Sequence, residues 1–140
     1  MLDPLTLDDR AALADLAARY AAAVDFREFD RLREVFVVDC RLDTGRGIRE
    51  GIDAVMGAMQ GLLRYEATTH MLGQQLLETH DGDIGGVTYC TAHHLGTDGE
   101  NRTDTVMHIR YHDRFVRTDD GWRISTRRLE TVWTDRQPVR

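Results

Sequence analysis

Six histidines carry most of this chain's capacity for proton chemistry at neutral pH, and their spacing limits which can share an interior. His93 and His94 are adjacent, and adjacent residues of a strand point to opposite faces, so at most one of them enters a pocket. His108 and His112 fall on one face with Val106, Arg110 and Arg114. That face reads as solvent or contact surface, with Met107, Ile109, Tyr111 and Phe115 on the inner side. His70 stands by itself on a β-rich run. A neutral imidazole suits the removal of a proton from carbon, because its ordinary pKa of ~6.5 leaves it unprotonated at neutral pH. Asp25 comes one helical turn after Ala21, on the edge of a buried stripe and near a helix C-terminus, where the helix dipole disfavours a carboxylate. A compensating partner is therefore expected for it. Tyr20 lies within the stripe, with a hydroxyl suited to bind a carbonyl or leaving oxygen.

Other chemistries find little support. No histidine stands in HxH or HExxH spacing beside a carboxylate, so no metal is expected. There is no G-x-G-x-x-G, G-x-x-x-x-G-K or G-x-S-x-G, which argues against nucleotide cofactors and serine hydrolysis. Cys40 and Cys90 lack CxxC spacing and read as small reduced core residues, with a cytoplasmic location as the default. A formal net charge of −6 gives no basic stripe for nucleic acid; Arg123, Arg127, Arg128, Arg136 and Arg140 are interleaved with acidic residues. No run approaches the ~18 apolar residues of a membrane span, and the acidic start MLDPLTLDDR lacks a signal-like apolar core.

With 140 residues, 41% of them apolar and 30% charged, one domain over 1–140 is expected. Thr6 and Asp9 suggest a capping box ahead of a helix from about Asp8 to about Asp25, marked by Leu13, Leu16, Ala17, Tyr20, Ala21 and Val24. Phe29, Leu32, Val35 and Phe36 predict a short second helix. Val38, Cys40 and Leu42 then alternate with polar residues as a half-buried strand ended by Gly45 and Gly47. After Gly51, the spacing of Ile52, Val55, Met56, Met59 and Leu63 predicts a third helix. Four strands follow at about 67–79, 86–96, 103–118 and 122–134, separated by Asp/Gly-rich turns, with a frayed tail over about 135–140. The expected order is ααβαββββ: an α+β fold whose curved antiparallel sheet wraps around the N-terminal helices.

This order, with Tyr20 through Asp25, Gly51-Ile52-Asp53-Ala54, Thr69-His70-Met71-Leu72-Gly73 and Gly121-Trp122-Arg123-Ile124, resembles the SnoaL-like branch of the nuclear transport factor 2-like superfamily, the cystatin-like α+β cones. The resemblance runs from Leu7 to Trp133. It is similar to the bile-acid dehydratases, scytalone dehydratases and hexachlorocyclohexane dehydrochlorinases of that fold, in which an aspartate on the first helix orients a strand histidine. It implies that Asp25 and His70 form such a pair, with His70 as the base. It further implies that Tyr20 assists, that His94 or His93 stands on the opposite wall, and that Arg128 or Arg127 holds an anionic oxygen. Tyr89, Met56, Met59, Leu63, Leu72, Met107 and Phe115 are the expected pocket walls. The implied activity is a lyase, dehydratase or isomerase acting on an apolar cyclic molecule of steroid, terpenoid or polyketide type, without a cofactor. The alternative is a non-catalytic ligand-binding or accessory protein of the same shape. A homo-dimer or homo-trimer through the outer sheet face is expected, because open curved sheets usually find a partner.

Overall fold

A computed structural model describes residues 5–140; the first four residues of the expected domain lie outside the described part. Helix α1 spans Leu7–Asp25, and its start is the predicted reciprocal cap: the Asp9 N–H donates to Thr6 Oγ1 and the Thr6 N–H to Asp9 Oδ2, both at 3.0 Å. These bonds satisfy donors that the first turn would otherwise leave unpaired. The six predicted stripe residues from Leu13 to Val24 are all buried.

The second helix is a 3-10 helix, Phe29–Glu34, rather than an α-helix. Phe29 and Leu32 are its buried residues, and a three-residue turn stacks such a pair on one side. Strands β1 (Phe36–Asp43) and β2 (Ile48–Glu50) precede helix α2 (Ile52–Met59), which tightens into a second 3-10 helix over Gln60–Arg64. Gly51 leads into α2 at φ 88°, a conformation that favours glycine. The long strands are β3 (Ala67–His80), β4 (Asp83–Asp98), β5 (Asn101–Thr118) and β6 (Gly121–Val139). Strand β2 was not expected; its three residues are all exposed and carry no alternation to read. The tail expected to fray is strand instead, since β6 pairs with β5 as far as Val139 opposite Arg102.

The six strands form one sheet in the order β2-β1-β6-β5-β4-β3, antiparallel except where β1 runs alongside β6. Bulges set which residues face inward. Phe115 pairs with Ile124 but Arg114 with Thr126, so Ser125 is an extra residue in β6. Strand β1 is irregular between Phe36 and Arg41, and Val38, expected inside with Cys40 and Leu42, is 77% exposed. The core fills the space between the helices and the inner sheet face, with Leu13, Leu32, Val55 and Ile124 completely buried. Cys40 and Cys90 are buried free thiols. On the outer face His108 stacks on Trp133 at 3.8 Å, and His112 Nε2 lies 2.8 Å from Glu130. Val106, read as part of that exposed face, is buried. Among the described residues no helix is long and apolar enough to cross a membrane.

Candidate active site

Asp25 ends α1, and the chain turns away through Arg27 in the left-handed region at φ 60°. Strand β3 crosses this helix end and presents Thr68 and His70, two residues apart and therefore on one face. Thr68 Oγ1 donates to Asp25 Oδ1 at 2.9 Å and the His70 backbone N–H to Oδ2 at 2.8 Å. His70 Nδ1 sits 2.7 Å from Oδ1. Partial burial works against the charged form of Asp25, but the bonds from the His70 ring, the His70 N–H and Thr68 outweigh it and hold the carboxyl below its ordinary range. An ionised carboxylate only accepts, so Nδ1 carries the hydrogen and Nε2 keeps a free lone pair. His70 lines a cavity of about 600 Å³.

Tyr20, Tyr111 and His94 surround His70 on that side of the cavity. The ring centres of Tyr20 and His94 are 6.4 and 6.1 Å from that of His70, both edge-on. His94 Nδ1 donates to the Thr105 carbonyl at 3.0 Å. Burial pushes the His94 pKa down, so its neutral ring offers Nε2 as an acceptor. Burial likewise raises the Tyr20 and Tyr111 hydroxyls, which stay protonated. Behind the tyrosines Arg127 is fully buried, its guanidinium carbon 4.3 and 4.0 Å from the two ring centres. It donates to Asp113 through Nε at 2.7 Å and Nη2 at 2.8 Å. Leu42, Met59, Leu62, Met107, Ile109 and Leu129 form the apolar wall, and Arg46, Arg49 and Arg64 stand at the exposed rim.

The structure thus brings Asp25, His70, Tyr20 and His94 together, and it settles the histidine register. His93 turns outward to Asp104, with Nδ1 2.7 Å from Oδ2. Of the two arginines left as alternatives, Arg127 turns inward and Arg128 is exposed: counting by twos from buried Ile124 would carry position 128 inward, but the extra Ser125 reverses the phase. Arg127 does not line the cavity, and two of its nitrogens are committed to Asp113, so neither arginine holds a substrate oxygen in this arrangement. Tyr89 alternates with the inward residues Cys90, Ala92 and His94 and lies on the outer face near Arg110. Of the other expected walls, Met59 and Met107 line the cavity. Leu63 is 53% exposed, because the 3-10 turn after Met59 brings Leu62 inward in its place. Met56, Leu72 and Phe115 pack on the core and stop short of the cavity. Tyr111 was read as inward but given no site role, and Thr68 and Asp113 went unread; the two-residue offsets of Thr68 from His70 and of Asp113 from Tyr111 signalled their faces.

A SnoaL-like domain model matches residues 5–128. This chain belongs to the SnoaL-like family. An uncharacterized protein of Mycobacterium tuberculosis is 31% identical over 140 residues, spanning 94% of this chain and 90% of its own. Among solved structures, a Novosphingobium aromaticivorans protein provisionally named scytalone dehydratase superposes on this SnoaL-like chain with a TM-score of 0.83 at 22% identity, covering 96% of this chain and 91% of that one. The hexachlorocyclohexane dehydrochlorinase LinA-type3 of Novosphingobium barchaimii has a TM-score of 0.81 at 20% identity, covering 95% and 91%. At such identities the likeness shows a shared fold, the cystatin-like α+β cone.

Proposed function

We propose that this SnoaL-like protein is a lyase or isomerase in which His70, held by Asp25, removes a proton from carbon in an apolar cyclic substrate. The observation that carries this reading is the 2.7 Å contact from His70 Nδ1 to an Asp25 carboxylate already fixed by Thr68 and the His70 N–H. It fixes the tautomer that turns a basic Nε2 toward the cavity, and it stabilises the imidazolium as that forms. The proton moves from a carbon beside an activating carbonyl to Nε2, and the C–H electron pair becomes a carbon–carbon double bond. A leaving group departs from the neighbouring carbon with its bonding electrons. Halide leaves as the anion, whereas hydroxide leaves as water by taking the proton that His70 has removed, with the protonated Tyr20 hydroxyl donating a hydrogen bond to the leaving oxygen. Neutral His94 accepts a substrate hydroxyl through Nε2. Dehydratase and dehydrochlorinase names among proteins of the same fold support elimination as the reaction class.

A panel of cyclic β-hydroxy and β-halo ketones of steroid, terpenoid and aromatic polyketide type, followed by NMR in deuterated water, tests the reading. Loss of water or halide, or deuterium exchange at the adjacent carbon, is expected. His70→Ala should lower kcat/KM about 10²–10⁴-fold, and Asp25→Asn on the order of 10²-fold or more through the wrong tautomer. The double variant should be little worse than His70→Ala, because the two act as one unit. A folded His70→Ala variant with near-wild-type turnover contradicts the reading.

A further inference from the structure

The charge of the cavity runs opposite to that of the molecule. The chain carries 24 acidic residues against 18 basic ones, yet no Asp or Glu is among the residues lining the cavity, while Arg46, Arg49 and Arg64 all are. Arg46 and Arg49 sit on or beside β2, at one edge of the sheet, whereas His94 is on β4 and His70 on β3 at the other. From β2 to β4 is four strand spacings, about 19 Å along the curve and less across it. Between these poles the wall carries Leu42, Met59, Met107, Ile109 and Leu129, with the hydroxyls of Thr131 and Thr134 among them. Neither Arg46 nor Arg49 makes a side-chain hydrogen bond or ion pair with a described residue, in contrast to Arg33, which pairs with Asp53, and Arg114, which pairs with Asp83. Arg64 is held over the Tyr65 ring by bonds to the Gly61 carbonyl and the Tyr65 hydroxyl, and Tyr65 in turn packs against His94.

We infer that the substrate of this site is an organic anion: an elongated apolar body whose carboxylate or phosphate group lies against Arg46 and Arg49 while its reacting carbon reaches His70. The inference rests on the proposed function for its reacting end, but the anion site is independent of proton transfer. A neutral ligand leaves the rim charges without counter-charge, whereas an anion is drawn to an arginine-rimmed opening that holds no carboxylate, on a chain whose net charge is negative. Arginine forks match both carboxylate and phosphate oxygens, so the two classes share the site and the probes separate them.

Isothermal titration calorimetry of the whole protein with 6-phenylhexanoate, its methyl ester and 5-phenylpentyl phosphate reads the preference directly. At least one anion should bind ten-fold or more tightly than the ester, and its affinity should fall as salt is raised. The better anion names the group. The charge-reversed double variant Arg46→Glu/Arg49→Glu should weaken that anion ten-fold or more and leave the ester within two-fold, with circular dichroism confirming that it is folded. His70→Ala should keep the anion preference, so failure of the base and failure of the anion site are told apart. Equal affinity for ester and anions, an unaltered anion affinity in the double variant, or no binding of either anion at millimolar concentration overturns the inference.

Discussion

Asp25 accepts three hydrogen bonds at the end of a helix whose dipole opposes its charge, and all its partners come from one strand more than forty residues downstream. Arg127 poses the opposite case: a full charge held in the interior by a single carboxylate, with its Nη1 buried and unpartnered. Burial alone would lower its pKa, but Asp113 outweighs that and keeps it charged. Removing one member of such a pair strands the other in a medium of low dielectric. Arg127→Leu should therefore cost about 3–5 kcal/mol of stability, whereas Arg128→Leu, on the exposed face, should change it by less than about 0.5 kcal/mol. Urea unfolding midpoints of the two variants check this; equal effects would contradict the assignment. The resemblance left Arg128 and Arg127 as alternatives, and the choice turns on one extra residue, Ser125, which leaves no mark in composition.

At the scale of elements, the start of α1 is tied to the far end of the sheet. Besides capping the helix, Asp9 Oδ1 accepts from Trp122 Nε1 at 3.0 Å and from Arg117, on β6 and β5 respectively. The backbone N–H of Thr6, the Trp122 indole and the Arg117 guanidinium together hold the Asp9 carboxyl far below its ordinary range, against partial burial. Thr6→Ala removes one capping bond and should cost about 1 kcal/mol, and Asp9→Asn should cost more because it weakens the sheet contacts as well. A carboxyl with a lowered folded pKa gives stability that is full above its unfolded pKa of about 3.9 and is lost as pH falls toward the folded value. Chemical denaturation at neutral pH should thus separate wild type from Asp9→Asn, and the gap should narrow in acid. A constant gap would show that Asp9 acts through packing alone. The cap was legible in Thr6 and Asp9 because it is local. The bonds to Arg117 and Trp122 were not, since nothing in the spacing of residues more than a hundred positions apart fixes their meeting.

For the molecule as a whole, the helices and the four long strands could be read from periodicity because each buries a regular stripe or face. The short exposed β2 and the residues beyond bulges could not. Tyr89 shows how far alternation reaches: placing His94 inside puts position 89 outside, and the structure keeps that parity. The Asp25–His70 pairing was legible only through family resemblance, because it depends on β3 lying at the edge of the sheet beside the end of α1. The acidic chain likewise gave no sign that its cavity would be rimmed by arginine and free of carboxylate.

The account depends most on one closed contact and the tautomer it imposes, which ¹⁵N-labelled imidazole NMR reads without a substrate. At neutral pH the hydrogen of neutral His70 should reside on Nδ1, with Nε2 bare, and Asp25→Asn should remove that preference. A wild-type His70 carrying its hydrogen on Nε2 would contradict the account.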